Sequence, residues 1–363
     1  MKKVLHVITN FTLPGGAESM LIRLVKATPR NIDQTIVSLI DVSPQMRKRL
    51  PTHVRVVALG SSGALSMLLI SFNLIGYLRE SEVVYSWMYH ANAIASIAKL
   101  IAMCKTPLIW GVRHSLDDFS GESMSTKVAI YIGKLVNFMP KKVIYCSRRA
   151  MSQHEEFGYN SPLKSHYIPN GYEFANTDDR TGTNASCLRF GAAGRYHDAK
   201  DYPTLFKALS PLLKSNPESK LLLCGIDMDS SNPKLIELMK EADIPVNQVE
   251  MFGLVRNMCE FYEKVDIFVL SSKTEGFPNV LAEAVAHGCV AFSTDAGDAE
   301  VILNHSSRIS PIGDARELTS NIQNYLQLAT VEQDAVNRVM IDYVRSSFTI
   351  DKIAQEYLAV LKT

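Results

Sequence analysis

An apolar run of about 18 residues is the least a membrane-spanning helix needs, and this sequence contains none. Its six cysteines (Cys104, Cys146, Cys187, Cys224, Cys259 and Cys289) form no C-x-x-C pair and have no histidine at metal-site spacing. That pattern argues against a disulfide framework and structural zinc, and favours a reducing, cytoplasmic setting. Low-complexity tracts and short-period repeats are absent, as is the G-x-G-x-x-G fingerprint of dinucleotide enzymes. The opening "MKKVLHVITN" carries two lysines, but its apolar stretch is interrupted by His6 and leads into Thr9 and Asn10. It reads as a first buried strand rather than a secretory leader.

Net charge is also nearly absent, +1 over 363 residues, but its distribution is uneven. Met1 to Gly171 holds 20 Lys and Arg against 10 Asp and Glu, while the remainder holds 18 against 27. A basic half favours an anionic partner such as lipid headgroups, nucleic acid or an acidic substrate; a plain solvated surface is the alternative. No basic–aromatic recognition pattern accompanies the charge, so nucleic acid is not expected.

Apolar residues make up 47% of the chain, enough for two cores. Strand-like runs "VLHVI", "TIVSLI", "VRVVAL", "VVYSW", "PLIWGV" and "KVIYC" alternate with helical patterns near 63–79, 90–103 and 124–138. The segment 173–187 turns polar and Gly/Asn/Asp-rich, the composition of a linker. "LRFGAAG", "KLLLCG", "VEMFG", "VDIFVL" and "CVAFST" then begin a second alternating series. The expected organisation is an α/β chain with two doubly wound, Rossmann-like domains facing a cleft. Domain one covers 1–172, the linker 173–187 and domain two 188–340, with a C-terminal helix at 341–363 crossing back to domain one.

The stretch "SSKTEGFPNVLAEAVAHG" (271–288) places Glu275 and Glu283 around a Gly-Phe-Pro turn. The turn follows a strand-like run, and Pro278 suits a first helical position, with Gly288 closing the helix. Ligands of parallel sheets bind at the carboxyl ends of strands, and a helix N-terminus favours an anion. A helix-start carboxylate with an exposed helix glutamate is the plainer alternative. "GRYHDAK" sets Gly194, Arg195 and Lys200 directly after the first strand of the second domain. A planar guanidinium and a compact ammonium there suit a diphosphate, although such pairs also occur as surface charges. "TLPGGAES" brings Gly15 and Gly16 between the first strand and helix, where backbone approaches a ligand closely or simply turns.

Together the G-G-A-E loop, the Gly-Arg-x-x-x-x-Lys stretch, I-P-N-G (168–171) and E-G-F-P-N-V-L-A-E resemble glycosyltransferase family 4, in order and over nearly the whole chain. The resemblance implies the GT-B fold and a hexosyltransferase that moves sugar from a nucleotide donor with retention. It assigns Arg195 and Lys200 to the diphosphate, Glu275 to the donor sugar and Glu283 to the ribose. Gly194, Gly276, Phe277, Pro278, Asn279, Val280 and Leu281 would line the donor, with Gly15 and Gly16 closing it from the other domain. His114 is the candidate for the family's active-site histidine, His90 competes for that role, and Arg113 and His90 are candidates for the acceptor.

"WMYHANAIASIAKL" and "LIWGVRHSLDD" resemble a subgroup associated with bacterial surface polysaccharides such as capsule, O-antigen or exopolysaccharide. A UDP-sugar donor and a glycan or lipid-linked acceptor follow from that likeness. Nucleotide-sugar epimerases share the architecture, and a non-catalytic nucleotide-sugar binder is a third reading. Two departures stand out: Gly225 is followed by Ile226 and Asp227 where the family often has a second glycine. Asp227-Met228-Asp229 imitates a D-x-D metal motif but reads as a polar loop, so neither metal nor cofactor is expected. Lys127, Lys134, Lys141, Lys142, Arg148 and Arg149 punctuate an apolar stretch. With the apolar helix at 63–79 they suggest peripheral attachment to an anionic membrane, or an ordinary core helix with a solvated face.

Overall fold

The computed structural model describes residues 2–117, 119–174 and 187–360 and contains two compact units. Unit one comprises Met1–Glu173 and Phe348–Thr363; unit two is Phe174–Ser347. Most of the expected linker, residues 175–186, lies outside the described residues.

Unit one is built on a parallel seven-stranded sheet. Its strands are β1 (Lys2–Ile8), β2 (Ile32–Ser38), β3 (Arg55–Ala58), β4 (Val83–Trp87), β5 (Leu108–Val112), β6 (Lys142–Tyr145) and β7 (Ser165–Tyr167). Their order, β3-β2-β1-β4-β5-β6-β7, reverses direction between β1 and β4. Both faces are covered, so strands β4 and β5 are buried throughout and read as continuous apolar runs. Alternate side chains of β1 feed two cores. Val4 and Ile8 pack with the helix Gly16–Ala27 and the last helix, Ile350–Val360. Leu5 and Val7 pack with the helices Ala64–Glu80, Tyr89–Ala102 and Met124–Leu135.

Unit two holds a parallel six-stranded sheet of order β10-β9-β8-β11-β12-β13. Its strands are β8 (Arg189–Ala193), β9 (Lys220–Cys224), β10 (Val249–Met251), β11 (Ile267–Leu270), β12 (Val290–Thr294) and β13 (Ile309–Ser310). The chain returns to unit one later than position 341. The helix Thr330–Ser347 is continuous, buries Met340, Ile341 and Val344, and Arg345 donates to the Ala286 carbonyl of unit two. Only after Phe348 does the chain rejoin unit one, through a bridge between Tyr172 and Thr349. Among the described residues no helix is long and apolar enough to cross a membrane.

Candidate active site

The carboxyl end of the second sheet gathers four loops, those after β8, β9, β11 and β12. After β8, the Gly194–Tyr196 turn continues the ladder, with Gly194 N–H donating to Cys224 O and Tyr196 N–H to Ile226 O. Gly225 makes that approach possible: its φ is 144°, and a Cβ there would overlap the Gly194 carbonyl oxygen. Gly225, followed by Ile226, therefore does a packing job that needs no second glycine after it. Tyr202 donates to Gly194 O at 2.9 Å and fixes the turn from beneath.

A short helical turn, Asp198–Lys200, capped by the His197 side chain, then points Lys200 across to the loop after β11. Lys200 Nζ meets Glu275 Oε1 at 2.5 Å, and Ser272 donates to the same oxygen at 2.7 Å. Two further bonds tie the loops together: Ser271 Oγ to Lys200 O and Lys273 N–H to Ala199 O, both 2.8 Å. The two residues that the sequence reading assigned to the diphosphate and to the sugar of a donor are thus one ion pair, with both side chains mostly shielded. Arg195 is exposed and forms no ion pair among the described residues.

The helix that follows is Asn279–Ala286, with Pro278 as its N-cap rather than its first turn residue. Pro278 has ψ 90°, outside the helical range, which moves the start one position on. Gly276, Phe277 and Pro278 are buried beneath this N-terminus, as is Leu281, whereas Asn279 and Val280 are partly open. Gly276 O accepts from Asp298 N–H, so the turn rests on the loop after β12. Glu283 lies on the same helix and accepts from the Tyr262 hydroxyl at 3.1 Å. Tyr262 is fully buried; burial, then the neighbouring Glu283, raises its pKa well above the ordinary value, so it serves as a donor. Tyr262 carried no motif signal, since it meets Glu283 across 21 positions, a gap that only the fold closes. Ser272 lies inside the 271–288 stretch, three residues from Glu275, but was not singled out.

The two aspartates after β9 have separate local tasks. Asp229 accepts from Ser231 N–H and Oγ, bonds that lower its pKa, while Asp227 adopts φ 60° and Met228 between them is buried. Among the described residues no group of three or more metal-ligating side chains forms.

In unit one, His114 and His90 both stand near Glu122, a residue the sequence reading did not single out. His114 Nε2 lies 2.8 Å from Glu122 Oε1. For His90, burial lowers the pKa, opposed by a Ser125 backbone bond and by the Glu122 charge. Asp117 anchors this loop by accepting from Ser115, Arg149 and Gln153.

Arg113 faces inward. Its guanidinium stacks on Trp87 at 5.0 Å and Tyr357 at 5.7 Å and donates to Asn170 of the I-P-N-G segment at 2.8 Å. Burial lowers its pKa. At the Gly15-Gly16 turn, the Glu18 carboxylate folds back to accept from the Gly15 and Glu18 N–H groups, and burial raises its pKa. The first helix therefore begins with a carboxylate already in its donor-rich end.

Residues 188–327 match the family model described as glycosyl transferases group 1. An uncharacterized glycosyltransferase of Methanocaldococcus jannaschii is 24% identical over 260 residues, 66% of this chain and 63% of its own length. A capsular polysaccharide biosynthesis glycosyltransferase of Staphylococcus aureus is 24% identical over 135 residues, 37% of either chain. The matches thus span less than two thirds of these relatives. Among solved structures, the Anabaena protein HepE in complex with UDP superposes with a TM-score of 0.81 over 100% of both chains at 19% identity. The fold is GT-B.

Proposed function

We propose that this chain is a retaining, metal-independent glycosyltransferase that uses a UDP-sugar. The observation that carries the reading is the Lys200–Glu275 pair at the carboxyl end of the second sheet, beside a helix N-terminus. A donor diphosphate offers Lys200 a stronger partner than Glu275, and Arg195, exposed beside it, adds a planar fork. Displaced from Lys200, Glu275 keeps Ser272 and turns its free lone pairs to the sugar hydroxyls. Glu283, held by Tyr262, takes the ribose hydroxyls.

As the bond from the anomeric carbon to the diphosphate breaks, negative charge grows on the leaving phosphate, where the two cations act. Retention then follows from attack by the acceptor on the face the diphosphate leaves, with that phosphate taking the acceptor's proton. No step draws on a metal or cofactor. In unit one the His114–Glu122 pair, with His90 beside it, meets the acceptor, and Arg113 holds the Asn170 loop beneath. The similarity to a capsular polysaccharide biosynthesis glycosyltransferase and to a UDP-bound structure supports a UDP-sugar donor and a glycan acceptor in surface polysaccharide synthesis. A lipid-linked acceptor at the inner face of the cytoplasmic membrane is our extension of that reading.

The test is a donor screen. UDP-, GDP- and ADP-sugars are compared for thermal stabilisation and slow hydrolysis, with and without EDTA, on wild type, Lys200→Met and Glu275→Gln. Stabilisation and turnover by a UDP-sugar in EDTA are expected, and Lys200→Met should lower turnover by about 100-fold or more. Metal-dependent turnover would restore a role to Asp227 and Asp229. Absence of any nucleotide-sugar binding would defeat the donor reading.

A further inference from the structure

Large apolar side chains are exposed in both units, and among the described residues their longest series at helical spacing is in unit one. On the helix Met124–Leu135, Met124, Val128, Tyr131 and Leu135 recur at spacings of four, three and four, a single face of the helix. All four are exposed, Met124 by 73% and Leu135 by 77%, while Ala129, Ile130 and Gly133 face the core. This helix is amphipathic in an unusual sense, with an apolar stripe on its exposed side, where Tyr131 leans on Phe119 and Phe157 and Met124, Val128 and Leu135 stand open. The neighbouring helices of the same layer add Leu69 and Phe72, then Leu100 and Ile101. Met103 closes the Tyr89–Ala102 helix in a left-handed conformation that favours glycine or asparagine, and is 88% exposed. In unit two the exposed apolar residues are sparser: Ile226, Val246 and Leu254 come singly, which is ordinary, and Val331 and Val339 are a pair on the helix Thr330–Ser347.

Charge identifies the occupant. From Val83 to His154 there are nine Lys and Arg but three acidic residues, all within 117–122. Lys127 and Lys134 alternate with the stripe, and their ammonium groups are held by the Ser120 and Phe157 carbonyls. Lys141 and Lys142 follow the end of the helix. A second copy of this chain seated face to face would bring those lysines against their own equivalents. An anionic bilayer instead accepts the stripe among its acyl chains and the ammonium groups among its headgroups.

We propose that the outer face of the helices Ala64–Glu80, Tyr89–Ala102 and Met124–Leu135 is a membrane-docking surface for anionic lipid, with the Met124–Leu135 stripe as its inserted edge. The surface deepens the acceptor reading on which it rests. Met124 stands two residues beyond Glu122, so the stripe begins at the loop assigned to the acceptor. A lipid-linked acceptor would reach that loop along the bilayer instead of through solution.

The full chain is sedimented with phosphatidylcholine vesicles with and without phosphatidylglycerol. Binding is expected only when phosphatidylglycerol is present, weakening with salt. The pair Tyr131→Asp and Leu135→Asp should lower the partition coefficient at least tenfold, and Lys127→Gln with Lys134→Gln on the order of fivefold per lysine. Tyr131 packs on Phe119 and Phe157, and the two lysines hold the Ser120 and Phe157 carbonyls. Met124→Asp with Leu135→Asp, which replaces two open side chains, is therefore the control pair. It should retain the wild-type melting temperature and UDP-sugar stabilisation while losing vesicle binding. Wild type that ignores anionic vesicles while still binding UDP-sugar overturns the surface and leaves the donor reading standing. Equal vesicle binding by the Tyr131/Leu135 pair, or a wild-type dimer in sedimentation equilibrium that this pair dissociates, also overturns it.

Discussion

At the carboxyl end of the second sheet, Lys200 and Glu275 carry opposite charges within reach of solvent, on loops cross-linked by Ser271 and Lys273. In unit one the ionisable groups near the corresponding strands are treated differently. His6 donates from Nε2 to Gln34 and accepts at Nδ1 from Trp87, and His154 lies against Tyr89, Tyr145 and Tyr159. Burial lowers the pKa of both to about 4. The second sheet end keeps its charges paired; unit one buries His6 and His154 neutral and carries apolar side chains on the outer face of its helices. Under the proposed function, a nucleotide-sugar donor would reward the first arrangement and an acceptor presented by a lipid surface the second.

The sharpest way to break this contrast is Gly225→Val. The side chain collides with the Gly194 carbonyl and needs a backbone conformation that valine avoids. It should cost more than about 4 kcal/mol and abolish stabilisation by UDP-sugar. Differential scanning calorimetry should show the unit-two transition collapsing while that of unit one persists; equal loss in both would mean the units do not unfold separately.

Acid should reverse the order of failure. An unfolded histidine takes its proton near 6.5, whereas His6 and His154 resist it until about 4. Between those values the unfolded chain binds more protons, so stability falls as pH drops, by up to about 3 kcal/mol for each histidine. Unit one should therefore lose its transition first on titration from pH 7 to 4. Substituting His6→Gln and His154→Gln should flatten the dependence; an unchanged slope would place its origin elsewhere.

The smallest effect sharpens the donor side. Tyr262→Phe removes the hydroxyl that holds Glu283 and should weaken UDP-sugar binding by about 1 kcal/mol, some fivefold, with turnover at saturation nearly unchanged. Calorimetric titration would measure it. A fall in saturated turnover without loss of affinity would assign Glu283 to the chemistry.

The sequence made the two α/β units and most strand positions legible because parallel strands covered on both faces are apolar runs. "VVYSW" coincides with β4 to the residue. It did not reveal β7 or β13, which are three and two residues long and lack such a run. The candidate site of unit two was readable for a related reason: its residues are short-range neighbours of strand ends, and their motifs are contiguous. In unit one, Tyr89 meets His154 across 65 positions, and His114 meets Glu122 through an irregular loop. No periodicity encodes such pairs. Arg113 was visible as a cation after a strand, but its direction, inward onto Trp87 and Tyr357, was not.

The late return of the chain has a consequence for biosynthesis. Unit two is an insertion within unit one, and the helix Ile350–Val360 supplies Ile350, Ile353, Ala354, Tyr357 and Val360 to the core around Met20, Leu24 and Trp87. While the ribosome is still making unit two, that core has one wall missing, and the Tyr85 hydroxyl still lacks its Tyr357 carbonyl partner. Unit two thus completes before the helix Ile350–Val360 emerges, and unit one waits for that helix with an apolar groove open to chaperones.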